Sequence, residues 1–373
     1  MRAPFAGSRQ PGAGSRDGDL RLSVIVPVHD GAAVLPRCLA ALSASDLPRA
    51  AWELVVVDDA SRDGSAELAA RAGARVLRVA DGPRGPAHAR NLGAEAARAP
   101  LLAFVDADVC VHADTLRRLA EALEAEPALA AVFGAYDTAP AAPGLVSQYR
   151  NLLHHYVHAE NAGEAATFWA GCGAVRAEAF RQVGGFDAAR YPRPQIEDVE
   201  LGYRLRERGL RIRLAPEIQA THLKRWTLGG MVATDVAQRG VPWARLLLER
   251  GARAGGTLNT RAAERWLTAA TGVGWAALAA GLLLRRPLAF VAAGGAGAAV
   301  LAGNARLLRW FARRRGVGFA AAVVPLRVLY YTLNLVSVAG ALALHRAARA
   351  RRRADAPPPP TPTPMPDERC RAR

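Results

Sequence analysis

The run Leu101-Leu102-Ala103-Phe104-Val105-Asp106-Ala107-Asp108-Val109 constrains this chain more than any other stretch. Five consecutive apolar residues leave no polar face. A strand here must therefore be covered on both sides, as strands are in a parallel sheet between layers of helix. The apolar character then gives way to two carboxylates one residue apart, at the carboxyl end of the strand, where open α/β sheets bind ligands. Two carboxylates this close repel, and they stay ionised together only beside a cation or hydrogen-bond donors. A divalent ion such as Mg2+ or Mn2+ carrying a diphosphate would supply that charge. A solvated turn after a strand often carries two acids as well, so the run alone leaves both readings open.

The neighbouring chain has the same construction. Leu22–Val28 is a β-branched run ending in Pro27-Val28, hence a strand entering a loop. Residues 32–43 place Val34, Leu35, Cys38, Leu39 and Leu42 at helical spacing. A second buried strand, 52–57, ends on Asp58-Asp59, and a short helix (65–72) leads to a third strand (74–79). A Gly/Pro loop, 82–86, precedes a helix over 87–97, and the run at 101 is the fourth strand. A helix over about 113–125 and a strand over 130–134 follow. Alternation of this kind predicts an α/β fold with a doubly wound, mostly parallel sheet. Residues 138–170 show no clear period. Within them His154 and His158 stand one helical turn apart, with His155 beside them, which is metal-ligand spacing without an evident further ligand.

Composition matters most in the second half. The net charge is +16 and almost all of the basic residues are arginine, Lys224 being the single lysine. An excess of that size implies an anionic partner, a membrane surface or nucleic acid. The arginines crowd around apolar segments from residue 245 onward, which favours the membrane. Residues 266–284 and 287–303 carry no charge, and a third apolar stretch, interrupted by Pro325 and Arg327, is expected to span from 328 to 344. Between residues 231 and 265 apolar and basic residues mix in the pattern of an interfacial amphipathic segment. Residues 1–19 read as a disordered lead-in without a signal peptide, and 346–373 as a basic, proline-rich disordered tail. The four cysteines have no paired spacing, so neither a zinc site nor a disulfide framework is indicated.

Four segments stand together: Asp58-Asp59; Asp106-x-Asp108; Gly184-Gly185-Phe186-Asp187 followed by Gln195-Ile196-Glu197-Asp198-Val199-Glu200; and Thr221-His222-Leu223-Lys224-Arg225-Trp226. In their order and spacing, over about residues 20–230, the sequence resembles the family 2 glycosyltransferases, inverting enzymes of the GT-A fold that use nucleotide-sugar donors. The resemblance implies that Pro27 and His29 line the nucleotide base and that Asp59 accepts a hydrogen bond from it. It implies that Arg90 helps hold the nucleotide, that Asp106 contacts the ribose or the metal, and that Asp108 coordinates the metal, completed by His222. It places Gly171 and Cys172 on the acceptor side and makes Asp198 the catalytic base, with Glu197 supporting it or binding acceptor. His222-x-x-Arg225-Trp226 is similar to the Gln-x-x-Arg-Trp signature of polysaccharide synthases, with histidine replacing glutamine. On that likeness Arg225 would bind diphosphate and Trp226 would stack on the acceptor. Plainer readings compete at several positions: Arg90 can be a solvated helix arginine, and Glu197, Asp198 and Glu200 can simply favour a helix dipole.

The expectation is a membrane-bound inverting glycosyltransferase that moves a sugar from a nucleotide sugar, a UDP-sugar first, to a lipid or glycan acceptor. The cofactor expected is Mn2+ or Mg2+, and the location a cell membrane, multi-pass, with the catalytic domain in the cytosol. A silent glycosyltransferase-like scaffold and a processive synthase are the alternatives. The histidine at 222 and the few spans after it speak against the synthase. Nucleic acid is not expected as a partner, because acids cluster where a basic and aromatic surface would be needed.

Overall fold

The computed structural model describes residues 20–251 and 261–354. The expected lead-in over 1–19, the tail beyond 354 and positions 252–260 of the expected interfacial segment lie outside the described residues.

The chain begins with β1 (Leu22–Val28), α1 (Leu35–Ser43), β2 (Trp52–Asp58), α2 (Ser65–Arg71), β3 (Arg75–Arg78), α3 (Pro86–Ala96) and β4 (Leu101–Val105). It continues through β5 (Val109–Val111), α4 (Thr115–Ala125), β6 (Leu129–Tyr136), α5 (Leu145–Ala159), β7 (Gly163–Ala165), β8 (Cys172–Arg176), α6 (Ala177–Gln182), α7 (Glu197–Glu207) and β9 (Arg211–His222). One sheet joins the strands in the order β3-β2-β1-β4-β8-β6-β9-β5, with β7 paired to β9. The pairings within β3-β2-β1-β4 are all parallel. Beyond β4 the sheet is mixed: β8 runs antiparallel to both β4 and β6, β9 is parallel to β6, and β5 and β7 are antiparallel to β9.

Burial on both faces explains the apolar runs. Along β1, Val24 and Val26 enter a core shared with Leu35 and Leu39 of α1, while Ile25 between them enters a second core with Ala87 and Ala89 of α3. Successive side chains point to opposite faces, so a strand between two helix layers is apolar almost throughout, and the buried Ser23 of β1 is paired with Glu53 of β2. β1 lies between β2 and β4, and the connections after β1 and β4 therefore diverge and open a crevice at their carboxyl ends. The strands that the sequence did not reveal are β5, β7, β8 and β9. β9 alternates basic and apolar residues, Arg211-Ile212-Arg213-Leu214, because only one of its faces is covered there: Ile212 and Leu214 are buried and Arg211 is exposed.

The remainder is helical: α8 (Leu228–Ala233), a π-helical segment (Thr234–Gly240), α9 (Val241–Arg250), α10 (Ala262–Leu284), α11 (Pro287–Gly303), α12 (Ala305–Arg315), α13 (Val317–Ala322) and α14 (Val324–Ala354). By length and composition two stretches among the described residues suffice to cross a membrane, Ala262–Leu284 and Val317–Ala350, with mean hydropathies of 1.7 and 1.5. A third span arises only if α11 and α12, bent by 58°, count as one. The last apolar helix begins at Val324 rather than at 328. Pro325 falls in its first turn, where a missing N–H costs nothing. Arg327 is buried instead of ending the span: it bonds Asn304 at the α11–α12 bend, Tyr331, and Glu264 of α10. These helices dock on the sheet domain through Tyr149, Leu152 and Leu153 of α5, which pack with Trp226, Phe311 and Leu326.

Candidate active site

A cavity of about 590 Å3 opens at the carboxyl edge of β1, β2 and β4. Pro27, His29 and Asp59 line one end, Asp106 and Asp108 the middle, and Asp198 and Trp169 the far side, with His222, Lys224 and Trp226 arriving from the end of β9.

At the first end the strand termini set the geometry. Asp59 follows the last residue of β2 and is buried. Its Oδ1 accepts the Arg84 N–H at 2.8 Å and its Oδ2 the Gly85 N–H at 2.7 Å. Asp59 therefore shapes the 82–86 loop, and any base it meets must use its remaining lone pairs. Gly85 is required there: its φ is 86°, and a Cβ would lie 2.5 Å from the Pro192 carbonyl oxygen. His29 Nδ1 lies 2.7 Å from the Asp59 carbonyl oxygen, which fixes the ring at the cavity mouth.

Arg90 organises the centre. It is buried rather than solvated, with Nη1 donating to Glu197 Oε1 at 2.9 Å and Nη2 to Asp106 Oδ1 at 2.6 Å. One guanidinium thus ties α3, the Asp-x-Asp loop and the start of α7 together, the fork geometry for which arginine is suited. Glu197 is spent on this bridge and on the Gln195 N–H at 2.9 Å, so it acts as a positioning residue. Asp198, one residue on, faces the cavity. Burial and the neighbouring Glu197 push its pKa up to about 6, while Arg90 and the N–H groups of Ala170 and Val199 hold it from rising further. A carboxylate placed so is ionised at neutral pH yet basic enough to take a proton. Burial also raises Asp106, against the pull of Arg90.

Asp108 goes the other way. Burial opposes its ionisation, but His222 and then Lys224 outweigh burial and hold its pKa below the ordinary carboxylate value. His222 Nε2 lies 3.4 Å from Asp108 Oδ2, and its Nδ1 lies 2.7 Å from Asn151 Oδ1. The ring stacks on Tyr136 with centroids 4.3 Å apart. Since Asn151 Oδ1 only accepts, Nδ1 carries a proton and Nε2 is left facing the carboxylate. Either a proton on Nε2 or a cation between the two groups satisfies that contact, and the outer hydrogen bond on a ligating histidine has the form seen at Nδ1. No group of three or more His, Cys, Asp or Glu able to hold a metal occurs among the described residues. Asp108 and His222, with Asp106 nearby, are the residues that could hold a divalent ion, one that keeps water or phosphate oxygens as its other ligands.

Several expectations are corrected. Gly171 and Cys172 do not line the cavity. Cys172 is fully buried in β8 opposite Val105, and Gly171 is buried where its carbonyl accepts the Asp106 N–H at 3.2 Å. The cavity residue from that segment is Trp169. Arg225 is exposed and off the cavity, whereas Lys224, one position earlier, lines it and lies 4.3 Å over the Trp226 ring. The histidines of α5 do not assemble a metal site. His155 and His158 turn Nδ1 to the carbonyls of Tyr136 and Gly134, and burial, the largest influence on each, lowers the pKa of His154, His155 and His158. Part of the expected interfacial stretch, Thr234, Gln238, Arg239 and Trp243, instead forms a cavity wall. Asn151, Tyr136, Trp169, Lys224 and Arg239 were missed from the sequence. Of these only Lys224, the single lysine, carried a signal.

Comparison with known proteins agrees with this architecture. Residues 23–184 match the family model for glycosyl transferase family 2. Glycosyltransferase AglE of Haloferax volcanii is 34% identical over 101 residues, 26% of this chain and 33% of that protein. Validoxylamine A glucosyltransferase of Streptomyces hygroscopicus subsp. jinggangensis is 31% identical over 242 residues, 54% of this chain and 56% of that protein. The chain thus spans a third to about half the length of these curated relatives. Mannosyltransferase PcManGT from Pyrobaculum calidifontis, solved in complex with GDP-Man and Mn2+, shares the fold with a TM-score of 0.53 at 22% identity, covering 85% of this chain and 86% of that one. With its sheet order, its carboxylates at the strand ends and this match, the stretch 23–184 is similar to glycosyl transferase family 2, on a GT-A fold.

Proposed function

We propose that the protein is a membrane-bound inverting glycosyltransferase that moves a sugar from a nucleotide diphosphate sugar to a lipid or glycan acceptor, with a UDP-sugar as the first donor to test. One observation carries the reading: a single cavity holds the Asp108–His222 pair and, across from it, a carboxylate on α7 poised near pKa 6.

The donor lies with its base by Pro27, His29 and Asp59 and its diphosphate by Asp106 and Asp108. Asp108 and His222 would hold a divalent ion, Mn2+ or Mg2+, which would neutralise charge on the leaving diphosphate. Asp198 takes the proton from the acceptor hydroxyl as that oxygen attacks the anomeric carbon. The carbon–oxygen bond to the nucleoside diphosphate breaks, and the electron pair leaves with the diphosphate. Arg90 holds Glu197 in place, so that the first turn of α7 presents Asp198 at a constant angle. Trp169 and Trp226 offer faces on which an acceptor can stack. The apolar helices 262–284 and 317–350 anchor the catalytic domain to a membrane, and that domain is assigned to the cytosol, where nucleotide sugars occur.

A donor screen on the detergent-solubilised full-length protein tests this, reading nucleoside diphosphate release with and without lipid extract and with Mn2+ replaced by a chelator. Release from one nucleotide sugar, stimulated by lipid extract and abolished by the chelator, is expected. Absence of nucleotide binding and release with every donor would overturn the reading.

A further inference from the structure

The histidines of α5 assemble no metal site among the described residues, and the proposed reaction has no task for them. Asn151, His154 and His158 nevertheless all line the cavity. Positions three and four apart on a helix share a face, so these three form a stripe about 10 Å long at 1.5 Å per residue. It starts at the Asn151–His222 contact and ends at His158, whose Nδ1 lies 2.9 Å from the Gly134 carbonyl oxygen in β6.

Trp169 packs on this stripe. Its ring centroid lies 4.7 Å from that of His154, 5.4 Å from His158 and 4.8 Å from Tyr136. The indole fits because residue 171 is glycine: a Cβ there would come within 2.6 Å of the ring. The next residue, Ala170, gives its N–H to Asp198 Oδ2 at 3.1 Å. A molecule lying on Trp169 is therefore held beside the proposed base. The nucleotide end, at β1 and β2, is on the other flank of the sheet, since β4 and β8 separate β1 from β6.

The nitrogens of the stripe define what that molecule must offer. A carbonyl only accepts, so His158 Nδ1 carries the proton and Nε2 keeps a lone pair. Burial, the largest influence on each, pushes the His158 pKa down to about 4 and holds His154 well below the ordinary imidazole value. Both rings are neutral near pH 7, and His158 Nε2 can only accept. His154 Nδ1 and Asn151 Nδ2 are buried and have no partner among the described residues. Buried polar atoms are rarely left so, and in a cavity lining a few such groups among aromatic walls orient a ligand. A hydroxyl both gives and takes a hydrogen bond, so it suits all three nitrogens. An ionised phosphate has no proton to give His158, and an acyl chain has no polar atom. The negative faces of the aromatic rings attract the polarised C–H bonds of a sugar ring.

We propose, resting on the glycosyltransferase reading, that Trp169, His154 and His158 form the acceptor subsite and that it takes a sugar ring. The ring lies on Trp169, its spare hydroxyls meet the two histidines, and the reacting hydroxyl meets Asp198. The acceptor is then a glycan or a glycolipid, not a bare lipid alcohol or a polyprenyl phosphate.

The test uses the full-length protein in a sugar-free detergent with the nucleotide sugar found by the donor screen. The acceptors are octyl glycosides of glucose, galactose, mannose and N-acetylglucosamine, the matching methyl glycosides, dioleoylglycerol and undecaprenyl phosphate. At least one glycoside should exceed both ring-free lipids in kcat/KM by about 10-fold or more, the weight of one buried hydrogen bond. His154→Phe keeps a ring and removes the unpaired nitrogen. It should raise the acceptor KM about 10-fold, leave the donor KM within about 3-fold, and melt no lower than wild type, because no hydrogen bond inside the protein is lost. Trp169→Leu should also raise the acceptor KM, and Trp169→Phe should restore part of the loss. Equal or better use of a ring-free lipid would overturn the proposal. So would transfer to none of the glycosides by a protein that binds nucleotide, or a His154→Phe variant whose acceptor KM is unchanged or whose donor KM rises in step. Preference for octyl over methyl glycosides places the ring on a lipid and equal use places it on a free glycan, and either supports the subsite. A wild-type protein that binds no nucleotide would instead overturn the underlying reading.

Discussion

Replacing Arg90 by methionine should destabilise the sheet domain by about 3 kcal/mol, the lower end of the range for breaking a buried ion pair. The figure follows from what each partner loses. Glu197, whose side chain is 6% exposed, keeps only the Gln195 N–H and becomes a buried carboxylate without a cation. Asp106 is 33% exposed, so solvent screens much of its loss and adds little. For a domain of this size each kcal/mol moves the melting temperature by about 2–4 °C, so a fall of roughly 6–12 °C is expected. Tryptophan fluorescence of the full-length protein in detergent reads it. The sign of the pH dependence is a second check. Arg90 lowers the pKa of Asp106 and Asp198, so removing it lets these carboxylates take protons more readily. Protonation relieves the uncompensated charge, and the gap between wild type and variant should narrow as pH falls from neutral toward about 5. Arg90→Lys, with one ammonium in place of a fork, should lie between. A variant melting within about 2 °C of wild type at neutral pH would refute the idea that Arg90 holds the centre together.

Other consequences follow from single residues. Because Asp198 must be ionised to take a proton and titrates at about 6, kcat/KM should be level near neutrality and fall as pH drops through about 6, with no such limb in Asp198→Asn. Asn151→Leu removes the partner that fixes the His222 tautomer and should weaken Mn2+ binding, measured by calorimetry, by about 10- to 100-fold, with nucleotide-free protein showing the same loss. Gly202→Ala should lower the melting temperature by several degrees, because its Cβ would sit 2.3 Å from the Phe168 nitrogen and backbone atoms cannot give way.

The parts of the fold legible in the sequence are those where one local rule decides. Strands β1, β2 and β4 are buried on both faces, so their runs are unmistakable, and the acids that end them fall on the cavity because strand ends do. β9 was missed since its alternation over residues 211–214 is short and is broken at Ala215-Pro216. Gly171 and Cys172 were placed on the acceptor side, and the register of β8 against β4 puts them in the core instead. That pairing is antiparallel and distant in sequence, and no local pattern reports it. Arg225 and Lys224 differ by one position, and in extended chain a one-residue shift reverses the face. Arg239 looked like a residue for the bilayer surface because its segment is basic and amphipathic. The structure instead sets it in the cavity lining, on the π-helical segment that ends at Gly240.

The role of Asp198 is the centre of the account, and Asp198→Asn tests it most directly, with sugar transfer and nucleoside diphosphate affinity measured side by side. The amide is nearly isosteric and takes no proton at neutral pH, so transfer should fall by about 10²–10⁴-fold, the usual contribution of a positioned base. Nucleotide affinity should stay near that of wild type, since the proposed donor contacts lie on Asp59, Asp106 and Asp108. The variant should also melt no lower than wild type, because burial and Glu197 oppose the charge it removes. Transfer at the wild-type rate would contradict the account, and loss of nucleotide binding in step with transfer would show Asp198 to be a structural residue of α7.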